Sequence, residues 1–182
     1  MPTYVAFLRA INLGRNRKFP MAQVKECLAT AGYEGVETHL ATGNVRVRTG
    51  IRSSAKVRAS LERTFAETTG FDVPTAVLTP AELSATCAEA RALDLQADGG
   101  APRRYVAFLP DPPGPTARAA LASWDVDGEG VHLGERHLHW WVQGGTTTAK
   151  IFQPGTLKKL GLQLSTTRDL KVVTRLAERW GA

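Results

Sequence analysis

The order of apolar and polar residues predicts a strand, a loop and a helix at the start of the chain. Residues Thr3–Arg9 are rich in Val, Phe and Leu, which suits a β-strand with a buried face. The segment Ile11–Lys18 is polar, contains Gly and Asn, and predicts a loop. Apolar residues then recur at helical spacing between Pro20 and Gly32, which are typical of a helix start and a helix stop.

The pattern that follows completes a six-element unit. Two short strands, Val36–Ala41 and Val45–Arg48, are predicted on either side of a tight Thr42–Asn44 turn. An amphipathic helix over Ser54–Thr69 and a strand over Phe71–Leu78 come next. The resulting order, β-α-β-β-α-β, is the split βαβ arrangement.

A linking helix is predicted directly after this unit. Thr79 can accept hydrogen bonds from free N–H groups, Pro80 suits the first helical position, and Glu82 can complete a capping box. The segment Leu93–Pro102 contains two consecutive glycines and is predicted to be a linker.

The first strand has a near copy in the second half of the chain. Within Arg103–Leu109, the sequence Tyr-Val-Ala-Phe-Leu repeats that of Tyr4–Leu8, which indicates internal duplication. We therefore predict an α+β fold of two βαββαβ subdomains with antiparallel sheets, a linking helix and a C-terminal helix. The predicted segments are 1–79 and 103–166 for the subdomains, 80–102 for the linking helix and linker, and 167–182 for the C-terminal helix. A two-residue turn at Gly134–Glu135 and a short strand over Leu162–Ser165 are expected in the second subdomain.

Composition places the chain among globular proteins. Hydrophobic residues make up 43% and charged residues 22%, which excludes a disordered chain, and no apolar run approaches the length of a membrane span. The first residues lack the features of a secretory signal. The two cysteines, Cys27 and Cys87, fall in predicted helices and do not indicate a disulfide framework. We expect a cytoplasmic protein without a membrane partner, and leave its oligomeric state open.

The net charge of +6 is unevenly distributed. Residues 1–63 hold 11 Lys/Arg against 4 Asp/Glu, and residues 136–182 hold 8 against 2. The middle of the chain, residues 64–135, holds 4 against 11. If the basic ends meet in space, they form a positive surface that attracts phosphates or acidic partners. The alternative is a composition bias in which the charges are simply solvated.

Short motifs occur at four places along the chain. They are Leu8–Gly14 followed by Lys18, Pro20 and Met21, then Thr42–Val45, Lys150, and Thr166–Arg168. Together they resemble the signatures of an uncharacterised bacterial family, domain of unknown function 1697. The resemblance covers the whole chain and implies a duplicated ferredoxin-like fold, without any established activity.

The chain departs from the family pattern at a few positions. The resemblance implies Gly where this chain has Ala10, a second Gly where it has Arg15, and Asn-Trp where it has Asp169 and Leu170. If those glycines let the backbone approach a ligand closely, Ala10 and Arg15 would alter that contact.

The predicted topology gathers the early motifs at one edge of a sheet. In a βαββαβ unit, the end of the first strand lies beside the hairpin of the second and third strands. Seven candidate ligand-binding residues should therefore cluster: Arg9, Asn12, Gly14, Lys18, Thr42, Gly43 and Asn44. The first loop also feeds a helix N-terminus, whose N–H groups favour an anion, and Arg offers a fork for carboxylate or phosphate. The alternative is that Asn12 and Asn44 order turns and that Arg9 is structural.

Three later residues are further candidates for ligand binding: Lys150, Thr167 and Arg168. Lys150 ends a Gly- and Thr-rich stretch, but Ala149 and Ile151 replace the Gly and Ser/Thr that a nucleotide triphosphatase loop needs around its Lys. A Thr of the segment Thr166–Arg168 is expected to cap the last helix, which leaves Arg168 unexplained.

Three histidines share one face of the predicted second hairpin. A Gly134–Glu135 turn would place His132 opposite His137, with His139 two residues further on the same face. Such a patch could bind zinc, but no carboxylate ligand stands at a fixed spacing. An exposed, solvated face is therefore expected, with neither a metal site nor a cofactor.

The function classes that remain are a binding module, an enzyme and an interaction protein. No catalytic constellation is recognised, and the third strand has no aromatic residue for the base stacking of an RNA-recognition domain. We predict a binding module for an anionic, phosphate- or carboxylate-bearing ligand or for nucleic acid. One alternative is a small-molecule enzyme acting on a phosphorylated or carboxylate substrate, in which Arg9, Lys150 and Arg168 stabilise charge while Asn12 and Asn44 orient the substrate. The other is a structural interaction protein.

Overall fold

The structure, a computed structural model, describes residues 1–93 and 101–182. It has a mixed α+β fold with two four-stranded antiparallel sheets and, within the described residues, six α-helices. The elements in chain order are β1 (Thr3–Leu8), α1 (Met21–Thr30), β2 (Glu34–His39), β3 (Asn44–Arg48), α2 (Ser54–Thr69), β4 (Thr75–Leu78), α3 (Pro80–Ala92), β5 (Arg103–Phe108), α4 (Pro115–Ala122), β6 (Glu129–Leu133), β7 (His137–Val142), α5 (Pro154–Lys159), β8 (Thr166–Asp169) and α6 (Leu170–Trp180).

The chain divides into two compact units. The first unit comprises Met1–Ser84 with Ala177–Ala182, and the second unit comprises Ala85–Leu176. Most of the predicted linker, residues 94–100, lies outside the described residues. In the part of the chain that the structure describes, every helix is too short or too polar to cross a bilayer.

The first unit contains a sheet with the strand order β2-β3-β1-β4, in which all neighbours are antiparallel. Helices α1 and α2 supply apolar side chains to a core formed with this sheet. Phe19, Leu28, Leu61 and Phe65 are fully buried there, and the rings of Phe19 and Phe65 meet edge to face with centroids 5.4 Å apart. The spacing of apolar residues in both helices therefore predicted the buried faces correctly.

Helix α3 begins with the predicted capping box. The Thr79 hydroxyl accepts a hydrogen bond from the Glu82 N–H at 3.2 Å, and the Glu82 carboxylate accepts one from the Thr79 N–H at 2.6 Å. Two N–H groups that a helix start leaves without partners are satisfied in this way.

The second unit contains a sheet with the order β6-β7-β5-β8, again antiparallel throughout. Its core includes Leu109, Leu121, Leu138 and Ile151, all buried. Trp140 stacks with two aromatic rings, those of Tyr105 and Phe152, with centroids 4.3 Å and 5.5 Å away.

The last strand lies later in the chain than predicted. The expected strand Leu162–Ser165 is wrong, because β8 is formed by Thr166–Asp169, which pairs with β5. Leu162 instead closes the turn after α5, where its N–H donates to the carbonyl of Leu157 at 2.7 Å. Consequently, the segment Thr166–Arg168 belongs to a strand and does not cap the last helix. Its alternation of inward and outward positions is carried by polar residues, which a search for apolar alternation overlooks.

The second hairpin has a wider turn than predicted. His132 lies opposite His139 and Leu133 opposite Leu138, so the expected pairing of His132 with His137 is wrong. The turn spans Gly134–His137 and is closed by the Gly134 N–H, which donates to the His137 carbonyl at 2.9 Å. The register is shifted by two residues, and a shift of two keeps every side chain on its predicted face.

Candidate functional site

The loop after β1 packs against the β2–β3 hairpin in the first unit. The Leu8 N–H donates to the Gly43 carbonyl at 2.8 Å, and the Asn12 side chain donates to the Ala41 carbonyl at 2.7 Å. On the adjoining strands, Phe7 pairs with Asn44. We call residues 9–18 and 41–44 together the basic edge. The topology predicted that these two segments would meet.

Asn12 ties the loop to itself. Its side chain accepts a hydrogen bond from the Phe19 N–H at 2.9 Å and donates to the Phe19 carbonyl at 3.1 Å. Its own N–H donates to the Arg17 carbonyl at 2.7 Å. The amide group of Asn12 therefore shapes the loop through three backbone partners, counting the Ala41 carbonyl.

Asn44 has a comparable role in the hairpin. The residue is buried, and its side chain donates to the His39 carbonyl at 2.7 Å and to the Thr42 hydroxyl at 3.2 Å. Both asparagines thus order turns, which is the alternative that the sequence left open.

Arg17, which sequence reasoning did not single out, holds the loop from its other side. Its guanidinium donates from Nε to the Ala10 carbonyl at 2.7 Å and from a terminal nitrogen to the Asp72 carbonyl, and it lies 4.6 Å from the centre of the Phe71 ring. The sequence of the loop could not predict Phe71, which precedes β4, as a partner of Arg17. Arg9 is half-buried, whereas Arg15 and Lys18 are exposed.

Every second residue of the loop from Ala10 to Gly14 has a left-handed backbone. The φ angles are 55° at Ala10, 55° at Asn12 and 63° at Gly14. Where left-handed residues alternate with right-handed ones, successive N–H groups face one side and form the backbone concavities, called nests, that bind anions. Ala10 adopts this conformation although it carries a Cβ, at the position where the family resemblance implies Gly.

Gly43 permits the close approach of the hairpin to the loop. Its φ angle is 81°, and a Cβ placed there would lie 2.8 Å from Leu8 Cβ and 2.8 Å from Ile11 Cδ1. Any side chain at position 43 would therefore push the hairpin away from β1.

The three later candidates lie in the second unit. Lys150 has an exposed side chain, and its N–H donates to the Glu129 carboxylate. Arg168 is buried in β8, and its guanidinium donates to the Thr166 hydroxyl at 2.8 Å and to the Thr167 carbonyl at 2.9 Å. Burial lowers the pKa of Arg168 to about 10.

The second unit also contains a cluster of Glu89 with three histidines, which we call the Glu89 cluster. The carboxylate of Glu89, on α3, lies 2.8 Å from His132 Nε2, 2.6 Å from His137 Nε2 and 3.7 Å from His139 Nε2. The histidines share a face as predicted, but that face is not solvated, because His139 is only 3% exposed.

Two local features set the position of the His137 ring. A Cβ at Gly134 would lie 2.3 Å from His137 Nε2, so only Gly at that position leaves room for the imidazole. On the other side of the ring, the Thr86 hydroxyl lies 3.5 Å from Nδ1, at the outer limit of a hydrogen bond.

The electrostatics of the cluster keep the carboxylate ionised. Burial alone would raise the pKa of Glu89, but hydrogen bonds with His132 and His137 outweigh it and hold that pKa below its usual value. Burial and the neighbouring His137 lower the pKa of His139 to about 4, so this imidazole is neutral at neutral pH.

Sequence reasoning missed Glu89. The residue precedes His132 by 43 positions and lies on a different element, so no spacing rule connects the two. The available signal was weaker: position 89 lies in an amphipathic helix predicted to follow a split βαβ unit.

The comparisons with known proteins establish family and fold. The chain is similar to a solved structure, that of the conserved bacterial protein SP0830 from Streptococcus pneumoniae, with 22% identity, a TM-score of 0.72 and 97% of each chain covered. No functionally curated protein matches the sequence. The family described as protein of unknown function (DUF1697) matches residues 1–139, and the chain therefore belongs to it.

Proposed function

We propose that the protein is a binding module for a phosphate-bearing ligand, which it holds at the basic edge of the first unit. The observation that carries this proposal is the alternation of left-handed residues at Ala10, Asn12 and Gly14. The Asn12 N–H already donates to the Arg17 carbonyl, so the N–H groups that this backbone offers to an anion are those of the neighbouring loop residues. The hydrogen bonds of Asn12 and Arg17 stabilise the loop in this form before a ligand arrives, which lowers the entropic cost of binding.

The charges of the basic edge favour the same class of ligand. Arg15 and Lys18 are exposed on the loop, and Asp and Glu are absent from the sequence before Glu26. A phosphate that approaches the loop therefore meets positive charge from flexible side chains and partial positive charge from the backbone.

Binding is a better account of this edge than catalysis. Residues 9–18 and 41–44 contain no Asp, Glu, His or Cys, so the basic edge offers no group that could act as a general base near neutral pH. Arg9 can position an anion, but it cannot accept a proton from a nucleophile.

We also infer that the two units are duplicated ferredoxin-like subdomains joined by a linking helix. The orders β2-β3-β1-β4 and β6-β7-β5-β8 correspond strand for strand, and the repeated Tyr-Val-Ala-Phe-Leu sequence falls on β1 and β5, which occupy the same place in the two orders. Lys150, Thr167 and Arg168 remain proposed ligand-binding residues of the second copy.

Calorimetric titration with pyrophosphate and with a short single-stranded oligonucleotide tests the binding proposal. The double variant Arg15→Ser/Lys18→Ser should weaken binding by about tenfold or more, because each charge-assisted contact contributes roughly 1 kcal/mol or more. The matched control is Lys25→Ser/Arg52→Ser, which removes the same charge from exposed positions of the first unit outside the basic edge.

The two probes also distinguish the ligand classes. Oligonucleotide affinity that falls steeply with salt would identify a reader of nucleic-acid backbones. Pyrophosphate affinity that does not increase when a nucleotide or an oligonucleotide is attached to the phosphates would identify a small-molecule pocket. Equal losses in the double variant and its control, or no binding of either probe, would refute the proposal.

A further inference from the structure

The Glu89 cluster contains a buried nitrogen that the protein itself leaves without a partner. Among the described residues, Nε2 of His139 is shielded from solvent and has no hydrogen-bond partner. The nearest carboxylate oxygen, Oε2 of Glu89, is 3.7 Å away, too far for a hydrogen bond. Buried polar atoms usually have a bonding partner, so we expect a ligand inside the cluster that bonds to this nitrogen.

Nε2 of His137 lies on the same side of the cluster, beside the Glu89 carboxylate. Nε2 of His137 lies 2.6 Å from Oε2 of Glu89, and the rings of His137 and His139 are nearly perpendicular with centroids 4.9 Å apart. One ligand atom from each of Glu89, His137 and His139 lies within 4.8 Å of the others. Two imidazoles and a carboxylate thus converge from two elements, α3 and β7.

A divalent transition-metal ion matches this donor set. Imidazole nitrogens and a carboxylate oxygen are ligands of Zn²⁺, with bonds of about 2.0–2.2 Å, and two His with one Glu form a known three-ligand set that leaves a coordination position open. Such bonds bring the ligand atoms roughly 3–3.5 Å apart.

We propose that Glu89, His137 and His139 bind a divalent transition-metal ion of the Zn²⁺ type in the second unit. His132 is a positioning residue in this site, because its Nε2 lies 2.8 Å from Oε1 of Glu89 and fixes the carboxylate while Oε2 faces the ion. The Thr86 hydroxyl near Nδ1 of His137 orients that ring in the same way.

Hydrogen bonding alone explains the cluster less well. A carboxylate can accept hydrogen bonds from His132 and His137 together, but this arrangement leaves the buried His139 nitrogen unsatisfied, and an unsatisfied buried polar atom destabilises the folded protein. An ion between the three groups satisfies all of them and brings positive charge to the ionised Glu89.

Cobalt titration of the full-length protein, stripped of metal with a chelator, tests this site. Co²⁺ bound by four or five protein and water ligands absorbs strongly in the visible region, and Zn²⁺ should displace it and abolish the absorption. We expect saturation of a single site per chain. His137→Gln and Glu89→Gln should each weaken binding by about 100-fold or more, and His132→Gln by roughly tenfold.

The chain supplies a matched control. His39, the fourth histidine, lies in the first unit, so His39→Gln removes an imidazole without touching the Glu89 cluster and should leave cobalt binding unchanged. Circular dichroism without metal establishes that each variant is folded. In the wild type and in His39→Gln, Zn²⁺ should also raise the melting temperature, whereas His137→Gln should show no such rise.

Two results would overturn the proposal. One is a wild-type protein that gives no visible absorption with Co²⁺ and no thermal shift with Zn²⁺, which would identify a hydrogen-bonded cluster only. The other is a folded His137→Gln variant that binds Co²⁺ as tightly as the wild type, which would place the metal elsewhere.

Discussion

The carboxylate of Glu37 on β2 accepts a hydrogen bond from the indole Nε1 of Trp180, the last residue of α6, at 3.1 Å. Arg179 donates to the same oxygen at 2.8 Å, and Arg46 donates to the other oxygen at 2.7 Å. All four residues belong to the first unit. The Glu37 carboxylate therefore attaches the end of α6 to the sheet of the first unit.

Acid should weaken this attachment. The hydrogen bond from Trp180 lowers the pKa of Glu37 despite some desolvation, and Arg179 and Arg46 lower it further. Because the folded-state pKa lies below the unfolded value of about 4.5, the contribution of Glu37 to stability is complete above that pH and is lost as the pH falls through the folded-state pKa. Glu37→Gln should reduce the free energy of unfolding by about 1 kcal/mol at neutral pH and by progressively less below pH 4.5.

Urea unfolding across this pH range measures the effect. Glu34→Gln is the control, because its ion pair with Arg48 is longer, at 3.5 Å, and both side chains are about half-exposed. We expect it to change stability by only a few tenths of a kcal/mol at any pH. A Glu37→Gln variant with an unchanged pH profile would show that the carboxylate contributes no charge-dependent stability.

Ala10 should tolerate replacement by Gly better than any ordinary alanine. A left-handed φ of 55° costs an L-residue roughly 1–2 kcal/mol, whereas Gly adopts it freely and loses about 0.5–1 kcal/mol through its flexible unfolded state. The two effects nearly cancel, so Ala10→Gly should be neutral or stabilise by up to about 1 kcal/mol. In contrast, Ala59→Gly in the exposed face of α2 should destabilise by about 1 kcal/mol. Equal losses in the two variants, measured by urea unfolding, would contradict the left-handed assignment.

Local sequence signals predicted an element correctly where the residues that start and end it lie within or beside that element. Helix α2 spans Ser54–Thr69 as predicted, because Ser53 accepts a hydrogen bond from the Lys56 N–H at its start and Gly70 takes a left-handed φ of 75° at its end. The repeat of the first strand likewise placed β5 correctly. These features depend on residues that are close together in the sequence, so a sequence pattern can predict them.

Features that depend on distant partners could not be predicted in the same way. The Gly134 turn was predicted wrongly for a different, local reason: Gly suits a tight two-residue turn, whereas the observed turn is wider and is closed by the Gly134 N–H and the His137 carbonyl. Glu89 reaches the histidines from α3 only after the second unit has formed. The role of Arg17 was also unpredictable from local sequence, because the Asp72 carbonyl to which it donates is 55 residues away.

Arg17 should not be replaceable by Lys. Its guanidinium donates in two directions and covers the Phe71 ring, whereas a single ammonium group cannot reach both carbonyls and stack at once. We expect Arg17→Lys to lower the free energy of unfolding by about 1–2 kcal/mol. Arg15→Lys, at an exposed position of the same loop, should have almost no effect on urea unfolding. If the two variants are equally stable, the hydrogen bonds of Arg17 do not hold the loop.

Gly43→Ala should be the most damaging small substitution in the basic edge, because it combines backbone strain with a steric clash. The left-handed φ of 81° costs Ala roughly 1–2 kcal/mol, and overpacking against Leu8 Cβ adds about 1–3 kcal/mol. Gly70→Ala separates the two causes, since its φ is 75° but nothing lies within 4 Å of the added Cβ. Thermal and urea unfolding should therefore show a loss in Gly43→Ala about twice that in Gly70→Ala. Because the clash displaces the hairpin from the loop, Gly43→Ala should also weaken pyrophosphate binding, whereas Gly70→Ala should leave it intact; similar affinities in both variants would mean that the contact between hairpin and loop is not needed for binding.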